Sequence, residues 1–319
     1  MQSLINQASQ SVINFEERNK TFVGYLWSLL SACCLATSSY FVKKVPDHIP
    51  STEILLYRSI QLSIYAYLFM KTQNHQFHYR GSSLNRLLLA RTLTGAIAII
   101  LTYWGLKLLP LSDSIVIMQT FPVPTGFFAW IILGEKYESI QFWTAITCLL
   151  GVGLIAQPAV IFGESSANVA DGGDRMLGTI VLALSSIFTG LTQVLVRQTG
   201  NKTNVGLVTI YFSHGSIILS AVVCLYQGIS PVDWYSAVQM FWVALPIFGA
   251  QIFRNRAFML VKAGRVAVMG YFGILYGYFL DIFLLGTQVS LLSVLGAVCI
   301  FSCMFFYIYQ MYQKEKEGK

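Results

Sequence analysis

The sequence predicts an all-α integral membrane protein: ten transmembrane helices forming two inverted five-helix repeats. Three observations carry that prediction. Hydrophobic residues make up 55% of the 319-residue chain and charged residues only 11%, with a mean hydropathy of +0.61. Most of the chain therefore belongs in lipid rather than around a soluble core. The apolar residues fall in blocks of roughly twenty, long enough to cross a bilayer at about 1.5 Å per residue. Finally, Tyr103 to Lys136 returns in outline as Arg254 to Gln288, with Gly105/Ala257, Ala129/Asp281, Leu133/Leu285 and Gly134/Gly286 at one constant offset.

Taken in order, residues 1–21 form a polar tail containing Glu16, Glu17, Arg18 and Lys20, too polar for a signal peptide. The expected spans are 22–42, 51–70, 87–106, 111–133 and 139–160, then 177–196, 205–226, 234–252, 264–285 and 289–311. The first repeat thus covers 22–161 and the second 177–312. Between them lies a Gly/Ser/Asp-rich connection, 162–176, without apolar periodicity, and after them a short tail, 313–319. Gly24, Ser31 and Lys43 match Gly178, Ser185 and Arg197 at constant spacing. With five spans per half, the second copy enters the membrane from the opposite side.

Charge sets the expected orientation. Fifteen Lys and Arg fall in segments on the side of the N-terminus, against four on the other side (Lys43, Lys44, Lys107, Arg175). By the positive-inside rule both termini are cytoplasmic, in a plasma membrane or endomembrane left open. The net charge of +7 is topological and does not point to nucleic acid. The six cysteines all lie in apolar spans without metal-type spacing, as packing residues rather than a disulfide framework. His75 and His78 are too few to hold a metal. No HExxH, GxSxG, P-loop or dinucleotide glycine motif occurs in the required context, so neither an enzyme nor a cofactor is expected.

The segments LSDSIVI, FPVPTGFFAWIILGEKY and GAQIFRNRAFMLVKAGRVAVM, with TEILLYRSIQ, LLLARTLTGA and LALSSIFTGLTQVLVRQTG, follow one another in a familiar order. The chain resembles the EamA-type drug/metabolite transporter superfamily, and more narrowly solute carrier family 35 subgroup G, over roughly 22–312. The resemblance implies a substrate path between helices one to four and six to nine. It also implies that helices five and ten lie outside, where dimer contacts form; Gly151, Gly153, Gly296 and Ala297 would allow close packing.

Candidate substrate-binding residues follow from polar groups within apolar spans. Arg58 and Arg91 lie several residues inside the second and third spans, and an intramembrane arginine costs about 2.5–3.5 kcal/mol on insertion scales. They serve an anionic substrate, whose carboxylate or phosphate suits guanidinium geometry, or else snorkel or pair with Glu53 or Asp113. Gln119, Thr120 and Pro122 mark a proline-disturbed stretch of the fourth span, as cavity lining or as interhelical hydrogen bonding. Tyr211 and His214 share one face of the seventh span at i, i+3, the histidine as a proton-coupling group or a satisfied interior residue. Tyr271 aligns with Gln119 across the repeat. Coupling or gating candidates are Asp113, whose competing role is a helix cap, together with Gln251, Asn255 and Asp281.

The function expected is a secondary transporter moving a small anionic metabolite by alternating access. Its partners are that substrate and the bilayer, with a homodimer through helices five and ten by resemblance. The alternative is a non-transporting membrane scaffold or regulatory protein on the same fold; polar, broken helices in both halves weigh against it.

Overall fold

The computed structural model describes residues 19–42, 44–46, 48–73, 82–109, 111–136, 138–156, 172–200, 203–285 and 291–317. Among these residues all regular structure is helical. The segments are α1 (Lys20–Val42), α2 (Ser51–Thr72), α3 (Ser82–Leu108), α4 (Leu111–Met118), α5 (Pro122–Leu133) and α6 (Ser139–Ala156). They continue with α7 (Gly172–Thr199), α8 (Val205–Gln227), α9 (Trp234–Leu260), α10 (Ala263–Met269), α11 (Phe272–Leu285) and α12 (Leu291–Glu317). Eight stretches are long and apolar enough to cross a membrane, the α4–α5 and α10–α11 pairs each counting as one. The chain is a multi-pass integral membrane protein. Two expected spans fall outside that set: α2, which carries Glu53, Arg58 and Lys71, and the shorter α6.

Helices outrun the hydropathy blocks at several ends. α3 begins at Ser82, α9 continues to Leu260 and α12 to Glu317, while α7 starts at Gly172, inside the expected connection. Hydropathy marks what lies in lipid, whereas a helix continues into water wherever its residues permit. The tail 1–18 and the stretch 157–171 lie outside the described residues, as do His75 and His78.

The fourth span breaks where its prolines require. Pro122 and Pro124 have no amide proton to give the preceding turn, and the chain tightens there: Thr120 N–H donates to Ile117 O (3.1 Å) and Val123 N–H to Thr120 O (3.0 Å), both three residues back. The second break, at Gly270-Tyr271, has the same tightening without a proline. Tyr271 N–H donates to Val268 O (3.2 Å) and Gly273 N–H to Gly270 O (3.0 Å). The two breaks touch each other: the Tyr271 hydroxyl donates to the carbonyl of Gln119 at 2.9 Å, its counterpart one repeat earlier.

Packing follows a paired scheme. α1 lies chiefly against α9 and also against α11; α7 lies chiefly against α3 and also against α5. α2 packs on α8, and α6 on α12. The contacts themselves recur one repeat on. A Cβ on Gly24 would meet Val261 Cγ2 at 2.2 Å, and one on Gly178 would meet Leu109 Cγ at 2.7 Å, so both helices need a residue without a side chain there. Ser31 Oγ donates to Ala250 O and Ser185 Oγ to Ala98 O, each at 2.9 Å. The α6–α12 contact runs through Gly151 and Gly296, so these two glycines serve packing within the chain. All six cysteines are free thiols.

Candidate functional site

The two breaks, α1 and α7 enclose a cavity of about 430 Å³, within the usual range for a small-ligand pocket. Its walls carry hydroxyls from α1 (Ser28, Ser31, Ser39) and α7 (Ser185, Ser186, Thr189), separated by apolar surface. Most of those hydroxyls are already committed. Ser28 donates to Val266 O (3.4 Å), while Ser185 and Ser186 lie 2.6 and 2.8 Å from Thr102 Oγ1 and Thr120 Oγ1. Such bonds hold the wall in shape and leave little for a ligand.

The groups left over define the chemistry. Arg254 of α9 lines the cavity, and among the described residues its guanidinium has neither a hydrogen bond nor a carboxylate partner. The amides of Gln119 and Gln193 also reach the cavity. A guanidinium without a partner among the described residues and two amides thus line a mostly apolar pocket, and such groups suit an anionic ligand. Arg254 also feels the charges of Arg58 on α2 and Arg91 on α3. Among the described residues no carboxylate pairs with any of the three: Glu53, one of the two alternative partners for these arginines, instead accepts from the amide (2.8 Å) and hydroxyl (3.0 Å) of Ser230.

One end of the bundle is closed by ion pairs between the halves. Gly134 ends α5 in the left-handed conformation (φ 65°), with Glu135 N–H donating to Ala129 O, and this turns Glu135 across the end of the bundle. Glu135 Oε1 accepts from Arg197 Nε at 2.8 Å and Oε2 from the Ala263 amide at 2.9 Å, capping α10. Arg197 Nη1 donates to Met259 O at 2.7 Å. Arg265 pairs with Glu138 beside it. The cavity extends away from this latch, along α1 to Tyr40 and along α11 to Leu280.

The remaining candidates spread around this centre. Arg58 is half-buried and Arg91 is buried, and neither lines the cavity. Gln119 lines it, while Thr120 donates to Ile117 O (2.7 Å) and Pro122 is buried at the start of α5. Tyr211 packs against a buried cluster and does not itself line the cavity. His214 lies on the outer surface with Nδ1 donating to Ile210 O at 2.8 Å. Tyr271 is 1% exposed and ties the two breaks together. Gln251 is half-buried on α9, and Asn255, fully buried, donates to Thr209 Oγ1 at 3.2 Å. The side chains of Asp113 and Asp281 lie outside the described residues. Arg254 is the residue that sequence reasoning assigned elsewhere: beside Arg256, Lys262 and Arg265 it reads as a membrane-edge anchor. The signal available was its distance from the end of an apolar run, since Ala257 to Val261 still follow it.

The chain is similar to proteins named as transporters. Residues 22–157 match the EamA-like transporter family. The chain is 28% identical over 285 residues to solute carrier family 35 member G1 from Homo sapiens, covering 87% of this chain and 76% of that one. It is 23% identical over 253 residues to the pseudopaline exporter CntI from Pseudomonas aeruginosa, covering 79% and 84%. A solved crystal structure shares the fold with a TM-score of 0.72 at 14% identity, covering 89% of this chain and 96% of its own.

Proposed function

We propose that this chain, which carries an EamA-family domain across residues 22–157, is a secondary transporter of a small organic anion. The observation that carries the anion is Arg254, a guanidinium in the cavity wall with no carboxylate partner among the described residues. A buried positive charge without a partner is stabilised by whatever anion enters. Transport rather than scaffolding is favoured by the cavity itself and by relatives that are named as carrier and exporter.

The proposed architecture is ten spans in two inverted repeats, 22–161 and 177–312, with both termini cytoplasmic. The paired packing supports it: Gly24 on Val261 and Gly178 on Leu109 are one contact made twice. In this state Glu135–Arg197 and Arg265–Glu138 close the cytoplasmic end, and the cavity extends toward the other side. Alternating access exchanges the roles of the two repeats, rocking one bundle against the other about the touching breaks. A homodimer would use the outer faces of α6 and α12, since Gly151 and Gly296 are taken up inside the chain.

A thermal-shift screen of the purified chain in detergent tests the anion. A ligand of the folded state raises the melting temperature by mass action. Carboxylates or phosphates should stabilise the wild type in a saturable manner and fail to stabilise Arg254→Gln. Stabilisation by neutral or cationic compounds alone, unchanged in that variant, would remove the anion.

A further inference from the structure

The cavity is charged at one end and mostly apolar along its length. Arg254 lies on α9 one turn before Phe258, whose carbonyl accepts from Arg197 of the latch at 3.5 Å. Gln193 lies on α7 one turn before Arg197 itself. Both therefore line the floor, beside the closed end. Trp27 stacks on Phe253 with ring centroids 5.0 Å apart, which sets the next residue of α1, Ser28, near the level of Arg254. From Ser28 the wall follows α1 to Tyr40, about 18 Å of helix at 1.5 Å per residue. Along that distance it consists largely of Leu35, Ile115, Met118, Ile274 and Leu280, interrupted by Gln119 at the first break. Ser31 and Ser39 donate to Ala250 O (2.9 Å) and Leu35 O (3.1 Å), so their hydroxyls belong to the helices. Among the described residues, Arg254 is the only charged residue in the wall. One seam of the wall has almost no side chains. A Cβ on Gly277 of α11 would lie 3.7 Å from Ala36 Cβ, an ordinary contact, unlike the 2.2 Å that Gly24 would meet. Packing does not require glycine at 277; what its missing side chain leaves there is cavity.

We infer that the site takes an amphipathic organic monoanion, one carboxylate against Arg254 and Gln193 at the floor and an apolar chain along the slot, with Gly277 setting how long a chain is accepted. The inference rests on the anion reading above and narrows it to a substrate class. One cation offsets one negative charge. A second carboxylate further along would face apolar side chains without a partner, which is costly. A polyhydroxylated body would meet wall hydroxyls already bonded to the backbone and lose its own bonds to water. An apolar chain loses nothing there and gains by leaving water. Gly277 stands level with Ala36, two turns above Ser28, so a branched side chain at 277 would narrow the slot about 12 Å from the floor.

The experiment measures thermal shifts of the purified full chain in detergent at constant ionic strength. The probes are acetate, butyrate, hexanoate and octanoate, with succinate and inorganic phosphate beside them. Wild type is compared with Arg254→Gln, which also controls for partition of the longer acids into micelles, and with Gly277→Leu. Ala36→Leu, on the facing helix, replaces Gly277→Leu if that variant does not fold. In wild type the apparent Kd should fall along the series, roughly fourfold per methylene, and succinate and phosphate should bind more weakly than hexanoate. Gly277→Leu should bind butyrate as wild type does and octanoate roughly tenfold more weakly, the worth of about two methylenes. Arg254→Gln should lose the whole series. If Arg254→Gln abolishes the shifts, three results overturn the inference and leave the anion reading standing. They are an affinity independent of chain length, succinate or phosphate binding more tightly than octanoate, and Gly277→Leu holding octanoate as tightly as wild type. If no probe gives wild type a saturable shift that Arg254→Gln abolishes, the anion reading itself falls and takes this one with it.

Discussion

Tyr271 shows how a polar residue at a functional position can belong to the frame rather than the site. Its side chain is buried, and its hydroxyl donates to the carbonyls of Gln119 (2.9 Å) and Ala145 (3.3 Å), bracing both helix breaks. Tyr271→Phe should therefore lower stability by about 1–2 kcal/mol, the cost of leaving buried acceptors short of a donor. Thermal melts should register the loss, while the order of preference among ligands stays the same. Arg58 and Arg91 were legible in the sequence because a charge inside an apolar run is conspicuous. Arg254 was not, because the neighbouring Arg256, Lys262 and Arg265 gave it a ready explanation as part of a basic anchor. Nor does sequence distinguish a face turned to the cavity from one turned outward. The Tyr211/His214 spacing predicts one shared helical face, but Tyr211 packs into a cluster and His214 reaches the surface.

Among the elements, the broken spans were the easiest to read and the closed end the hardest. Pro122 and Pro124 announce the first break, since a helix cannot supply their missing donors. The second has no proline and was legible only through its alignment with the first. The latch joins residues far apart in sequence, Glu135 to Arg197 and Ala263, and Glu138 to Arg265, and no local pattern reveals such pairs. The sequence does show an asymmetry: where the first repeat has Glu135, the second has Thr287, so a state with the roles of the two repeats exchanged would lack the equivalent ion pair. Glu135→Gln should loosen the closed end in particular. Hydrogen exchange should rise at the start of α10, where the Ala263 amide loses its carboxylate acceptor, and stay level in α6 and α12. Uniform exchange throughout would mean that Glu135 does not act as a latch.

At the scale of the molecule, composition and periodicity were enough for the class, an all-helical multi-pass membrane protein, whereas the pairing of its helices was not read from the sequence. What they left out is the balance of charge around the cavity. Three arginines share one region, and among the described residues no carboxylate pairs with them. A static scaffold would gain stability by losing them, whereas a carrier that must bind and release an anion has a use for a charge satisfied only when loaded. The most direct test is flux. Wild type and Arg254→Gln, each confirmed as folded, would be reconstituted into proteoliposomes and assayed for uptake of labelled carboxylates and phosphates. Saturable uptake of at least one anion by wild type, reduced tenfold or more in Arg254→Gln, is the result predicted here. Equal uptake by the two proteins, or saturable uptake confined to neutral or cationic solutes, would contradict it.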